Sequence, residues 1–206
     1  MIEPYRFISS KLLDEQGWLK ARESAVTATM VSSAATKSGF TEVTAQIDNP
    51  TPIEQNGYMT FGLDNEAWLS MFLLREYGVL PNDWLIQSDQ SNGGLPFEMA
   101  TPDGLWMSEG SNTIAEIKTT GTDWGDVSKI PIKYRRQVQW QLYCCDADKC
   151  VFAWLLRTTD SDGRFVPAWF EPKVGIIERD EKIIAELRDV AERLEMHRVY
   201  RSRERG

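Results

Sequence analysis

The stretch that decides the fold reads Thr101-Pro102-Asp103-Gly104-Leu105-Trp106-Met107 and, beyond a short polar gap, Thr113-Ile114-Ala115-Glu116-Ile117-Lys118-Thr119. Both halves are apolar runs bounded by Gly, Ser and Asn, the pattern of strands. Residues two apart in a strand share a face. Glu116 and Lys118 therefore project together, with Ala115 and Ile117 on the opposite side. Pro102 and Gly104 suit positions i+1 and i+3 of a tight turn, which would present the Asp103 carboxylate at a strand junction. The spacing from Asp103 to Glu116 lets one strand turn back beside the next.

Working outward, residues 84–89 and 95–100 read as further strands, as do 151–157 and 164–170. Helices are expected over about 15–23 and 27–37. The clearest spans 59–77, between Gly57 and Gly78. Another opens at Pro131, a residue favoured at the first helical position, and the last begins near Asp180. Residues 37–57 are polar and carry Pro50, Pro52 and Gly57, so they read as a long loop. A strand meander, a helix and more strands together predict an α/β (α+β) fold with a mixed central β-sheet flanked by helices. The length of 206 residues suits a single domain over 1–206.

Composition excludes several chemistries. Three cysteines, Cys144, Cys145 and Cys150, cannot close a disulfide framework or supply four thiolates to zinc or an iron–sulfur cluster. They read as reduced thiols. The one histidine, His197, lies in a charged C-terminal helix and reads as solvated. A histidine-ligated catalytic zinc, a Ser-His-Asp triad and a Cys-His dyad each need an imidazole in the site. Hydrolysis here must run on carboxylates and lysine. The net charge of −8 argues against broad nonspecific nucleic-acid binding but allows a local basic track. No apolar run approaches the roughly 20 residues of a membrane span, and the N-terminal residues lack a signal-peptide core. A cytoplasmic protein without a membrane partner is expected.

Asp103, Glu116 and Lys118 suit metal-assisted phosphodiester hydrolysis. Two carboxylates and water can hold Mg²⁺, which keeps much of its hydration shell. A lysine beside them can orient or deprotonate the attacking water, and burial can shift its pKa. Taken singly, each motif is commonly structural: a turn aspartate, or a solvated Glu-x-Lys. Their pairing at this spacing favours the chemistry. Glu66 lies between Leu63 and Leu69, with Leu73 beyond, which places it inside an apolar stripe. A buried carboxylate there needs a partner or a metal. Asp64 and Asn65 read as surface residues. Tyr134, Gln137 and Gln141 share one helix face, with Gln137 placed to bond the attacking water or a phosphate oxygen. Lys129, Lys133, Arg135 and Arg136 form a basic cluster suited to phosphate contact.

In order, Trp18-Leu19-Lys20-Ala21-Arg22, Val26-Thr27-Ala28-Thr29, Gly62-Leu63-Asp64-Asn65-Glu66, Thr101-Pro102-Asp103-Gly104-Leu105, Glu116-Ile117-Lys118, Tyr134 with Gln137-Val138-Gln139, and Ile177-Glu178-Arg179-Asp180-Glu181-Lys182 resemble the lambda-exonuclease and YqaJ-type viral recombinase nucleases of the PD-(D/E)XK superfamily. The resemblance implies a restriction-endonuclease-like core and Mg²⁺-dependent 5′→3′ digestion of one strand of duplex DNA, with Mn²⁺ as a substitute ion. It implies Asp103, Glu116 and the Ile117 carbonyl as metal ligands, and Glu66 at a second metal. Lys118 would act on the nucleophile with support from Gln137. Arg22 and Thr29 match the residues that hold the terminal 5′-phosphate. Met59 falls where an apolar wedge parts the strands, and Lys37 is the nearest match to a groove-inserting arginine; Tyr134, Lys133 and Arg136 on the helix after Pro131 are read from their own positions as further DNA contacts. The resemblance also implies a ring-shaped homotrimer and a single-strand annealing protein as partner in phage recombination. Two other readings compete: an endonuclease of the same superfamily, such as a resolvase or restriction enzyme, and a DNA-end-binding module without catalysis.

Overall fold

The computed structural model describes residues 6–52, 54–108 and 111–205. In chain order its elements are β1 (Arg6–Ser10), α1 (Glu15–Glu23), α2 (Ala28–Ala34), α3 (Lys37–Asp48), α4 (Gly57–Tyr77), β2 (Leu80–Pro81), β3 (Trp84–Gln87), β4 (Met99–Ala100), β5 (Gly104–Ser108), β6 (Ser111–Thr120), α5 (Ile132–Cys144), β7 (Lys149–Thr159), β8 (Phe165–Pro167), β9 (Lys173–Glu178) and α6 (Glu181–Arg205).

The larger sheet runs β2-β5-β6-β7-β8, with β9 also paired to β7. β5 and β6 form the expected antiparallel hairpin, with Gly104 opposite Ala115. β6 and β7 are parallel, with Glu116 beside Phe152. Parallel neighbours need a crossover connection, and α5 supplies it. β7 is buried without interruption from Cys150 to Leu155, the signature of a strand covered on both faces. On one face Ile114, Phe152 and Trp154 pack with Val138 and Leu142 of α5. On the other, Ala115, Val151 and Ala153 pack with Leu73 of α4. A second core joins α2, α5 and α6 around Val31, Trp140, Leu187 and Leu194. Truncating any one of these large side chains would cost on the order of 3–5 kcal/mol.

The mixed, helix-flanked sheet is as expected, with several local differences. Residues 37–57 are not one long loop, because α3 fills their first half. Thr36 caps it by accepting from Gly39 N at 3.1 Å, and Phe40, Val43 and Ile47 pack on the α2–α6 core. That tertiary face outweighs the weak helical preference of its threonines and glycine. β3 and β4 leave the main sheet and form a smaller one with β1, in the order β1-β3-β4. Gly104 does not close a tight turn. It opens β5, where a Cβ would meet Val79 at 2.9 Å and Ala115 at 3.0 Å, so β2 and β6 require the bare backbone. α4 behaves as read: Asn56 Oδ1 accepts from Tyr58 N and Met59 N, and Gly78 ends it at φ 70, in the left-handed region. His197 is not solvated but bonds Asp48 at 3.0 Å, and Arg201 bonds the same carboxylate, tying α6 to α3. The three thiols are buried and free, and burial pushes each above its ordinary pKa.

Candidate active site

β6 sends Glu116 and Lys118 towards α5 and turns Ala115 and Ile117 towards α4, as strand alternation requires. Glu116 is only 2% exposed. Gln137 Nε2 donates to its Oε1 and Gln141 Nε2 to its Oε2, each at 2.6 Å. The Lys118 ammonium pairs with the same carboxylate and lies 5.5 Å from the Tyr134 ring centroid. One face of α5 therefore grips the carboxylate with charge-assisted bonds, the strong class of hydrogen bond.

Asp103 stands just before β5. Its Oδ2 accepts from Ile117 N at 2.6 Å, which fixes it beside Glu116. Burial, and then the Glu116 charge, push its carboxyl up to about 8 against the pull of Lys118. Burial alone would lower Lys118, but Glu116 and Asp103 outweigh it and hold the ammonium above its ordinary value. The expected depression of a buried lysine is thus reversed by its neighbours, and Lys118 is a fixed cation.

Glu66 is exposed rather than set in the apolar stripe of α4. Asn65 occupies the buried position instead, donating to Phe61 O at 2.7 Å and accepting from Trp68 Nε1 at 2.8 Å. The stripe runs Phe61, Asn65, Leu69, Leu73, four residues apart, and an amide satisfied within its own helix can lie in it. Glu66 still reaches Asp103 and Lys118: it lines a cleft of about 440 Å³ with them, Ile117 and Met59, and its charge adds to the upward push on Asp103.

A second, smaller cavity of about 40 Å³ is lined by Arg22, Thr27, Thr29, Thr101 and by Gln137 and Gln141, the two residues that hold Glu116. Arg22 stacks on Trp18, its guanidinium 4.7 Å from the ring centroid, and partial burial lowers its pKa. Thr101 Oγ1 and Gln141 Oε1 are buried with no hydrogen-bond partner among the described residues. Arg22 and Thr29, well separated in the sequence, are thus brought together next to the residues that hold Glu116.

Other expected residues lie further out. Met59 sits on the cleft rim, 41% exposed. Lys133 is exposed and Arg136 half-buried on α5, and neither lines either cavity. Arg135 donates to Val127 O. Lys37 lies in a groove between α3 and α6, lined also by Phe40 and Arg193. Two of the C-terminal arginines tie α6 to other helices, with Arg198 bonding Glu23 O of α1 and Arg201 bonding Asp48 of α3. The sequence reading missed Gln141 as a holder of Glu116, although it shares a face with Gln137. It also missed Thr101 and Arg157, which no local pattern marks.

Both carboxylates and the Ile117 carbonyl offer oxygen donors, the set that suits a hard divalent cation. A cation would also relieve the repulsion that raises Asp103. Among the described residues no three His, Cys, Asp or Glu side chains converge tightly enough to cage a metal unaided. Among those residues, no helix is long and apolar enough to cross a membrane.

The model of the YqaJ-like viral recombinase domain matches residues 17–148. The LHK-Exo structure in complex with dAMP is 26% identical, with a TM-score of 0.67, over 91% of this chain and 96% of that one. The alkaline exonuclease LHK-Exo from Laribacter hongkongensis is 24% identical, with a TM-score of 0.63, over the same shares. A phage-related exonuclease from Haemophilus somnus shares the fold at 14% identity and a TM-score of 0.65, over 88% of this chain and 96% of that one. No curated protein matches the sequence. The residues that grip Glu116 lie inside the matched segment, and this chain belongs to the YqaJ-like viral recombinase family and is a nuclease of the phage-exonuclease type.

Proposed function

We propose that the chain is a Mg²⁺-dependent 5′→3′ exonuclease that degrades one strand of linear duplex DNA and leaves a 3′ overhang for recombination by strand annealing. The observation that carries this reading is that Gln137 and Gln141, which hold Glu116, also line the cavity that contains Arg22 and Thr29, while Asp103, Glu66 and Lys118 line the larger cleft. An end-reading cation beside the residues that hold the carboxylate suits an enzyme that starts from a phosphate terminus.

Asp103, Glu116 and the Ile117 carbonyl would hold the ion, with Glu66 contributing from α4. When bound, Mg²⁺ polarises the scissile phosphate and acidifies water. Glu116 is kept in one orientation by Gln137 and Gln141. Lys118, held protonated, donates to the attacking water or to a non-bridging phosphate oxygen and offsets charge as the bond breaks. Arg22 forks onto the terminal phosphate, and the hydroxyls of Thr29 and Thr101 add donors. The dAMP bound to LHK-Exo supports release of deoxynucleoside monophosphates. Family membership supports a ring of three copies and an annealing partner, and the molecular mass in solution tests the first.

The test is linear duplex DNA labelled at either end, with Mg²⁺, beside a closed circle and the Lys118→Ala protein. Mononucleotides released from 5′-phosphorylated ends, an intact circle and an inert variant are expected. Cutting of the circle would move the assignment to an endonuclease, and binding without cleavage would reduce the protein to an end-binding module.

A further inference from the structure

On the wall of the larger cleft, Arg157 leaves β7 and lays its guanidinium over the Tyr58 ring, 4.2 Å from the centroid, and 5.5 Å from that of Phe165. The two rings stack at 5.1 Å. Two glycines make room for the cluster: a Cβ on Gly121 would come within 3.1 Å of Arg157 Nη2, and one on Gly57 within 3.1 Å of Phe165. Arg157 is half-buried, and the described residues give its guanidinium neither an ion pair nor a hydrogen bond. A cation fixed on aromatic rings therefore faces the cleft that holds Asp103 and Lys118.

We infer that Arg157 is a strand-positioning residue that binds the DNA phosphate immediately 3′ of the scissile one. This rests on the exonuclease reading. If the terminal phosphate lies at Arg22 and the scissile phosphate at Asp103 and Glu116, the strand continues into the cleft away from Arg22. Beside Lys118, Arg157 is the cation that lines this cleft among the described residues. Tyr58 and Phe165 hold its guanidinium plane still, so little side-chain freedom is lost when a phosphate docks. Arginine suits the task because its planar fork meets two phosphate oxygens at once.

The test uses 5′-phosphorylated duplexes with Ca²⁺ in place of Mg²⁺, carrying one neutral methylphosphonate at successive positions from the 5′ end. Binding is followed by fluorescence anisotropy at several salt concentrations. The wild type is expected to lose about tenfold in affinity when the neutral linkage lies just 3′ of the scissile position, the scale of one charge-assisted contact. Arg157→Gln is expected to bind all-phosphate DNA about tenfold more weakly, with a salt slope smaller by about 0.9, and to be indifferent to the linkage at that position. An unchanged salt slope in Arg157→Gln, or the same methylphosphonate profile in both proteins, overturns the assignment. Should Arg157→Gln fold poorly, Arg157→Lys keeps the charge, and the wild-type scan alone decides: no sensitivity at that position overturns it. Cleavage of linear duplex by the wild type in Mg²⁺ is scored separately. Failure there removes the exonuclease reading, whereas an active wild type with an unchanged variant removes only the role of Arg157.

Discussion

Gln141 and Glu116 are joined by a 2.6 Å hydrogen bond in which the amide donates to Oε2, while the Gln141 carbonyl oxygen is left buried without a partner. The amide is thus committed to the carboxylate at the cost of its own second bond. Replacing it with Gln141→Leu, similar in size, leaves a buried acceptor short of a donor, at a cost on the order of 1–3 kcal/mol. A lower melting temperature is expected, together with a single-turnover rate reduced about 10- to 100-fold, the scale for residues that orient a metal ligand. Full activity in this variant would mean that Gln137 and Lys118 suffice to aim Glu116.

Asp103 gives a pH dependence opposite to that of an ordinary aspartate. Burial and the Glu116 charge push its folded pKa up to about 8, above the ordinary 3.8 of an aspartate. Between those values the folded state binds the proton more tightly than the unfolded one, so stability must fall as pH rises. Metal-free protein is expected to melt at progressively lower temperature from about pH 4 to about pH 8, and Asp103→Asn should flatten that slope. A divalent cation competes with the same proton, so the melting shift produced by Mg²⁺ should grow over the same interval. Thermal melts in chelator and in Mg²⁺, for wild type and variant, check both halves.

In the proposed function, Arg22 would carry the discrimination between end types. Arg22→Ala is expected to slow digestion of 5′-phosphorylated duplex by about 10- to 100-fold, equivalent to the roughly 1.5–3 kcal/mol of a charge-assisted contact. Ends with a 5′-hydroxyl should be affected far less. Parallel time courses on the two substrates decide it, and an equal loss on both would place the terminal phosphate elsewhere.

Gly104 is needed for close approach, not for a turn. Gly104→Ala drives a methyl group into Val79 and Ala115, and overpacking of this kind costs about 1–3 kcal/mol. Denaturant melts should show that loss. Activity should fall with it, because Asp103 is fixed to β6 only while β5 and β6 stay in register.

Where side-chain periodicity and the backbone agree, the sequence was legible. The alternation along β6 placed Glu116 and Lys118 on one face, and the spacing of Tyr134, Gln137 and Gln141 identified the face of α5 that meets them. Glu66 shows the limit of that reading. Leucines on either side suggested a buried acid, yet Asn65, able to bond Phe61 O and Trp68 Nε1 within one helix, takes the buried position and leaves Glu66 at the cleft. α3 was hidden because its helix is held by contacts with α6, distant in sequence. Arg157 lies at the end of a strand whose neighbours are ordinary core residues. Its meaning comes from Tyr58 and Phe165, which only the folded chain brings to it.

The parallel pairing of β6 and β7 runs through the same helix that clamps Glu116: α5 connects the two strands, and its Gln137 and Gln141 hold the carboxylate. Opening the sheet at this seam would therefore loosen the clamp, and amide exchange in α5 and β6 is expected to report both together. A ligand arriving at the cleft then meets a carboxylate already set.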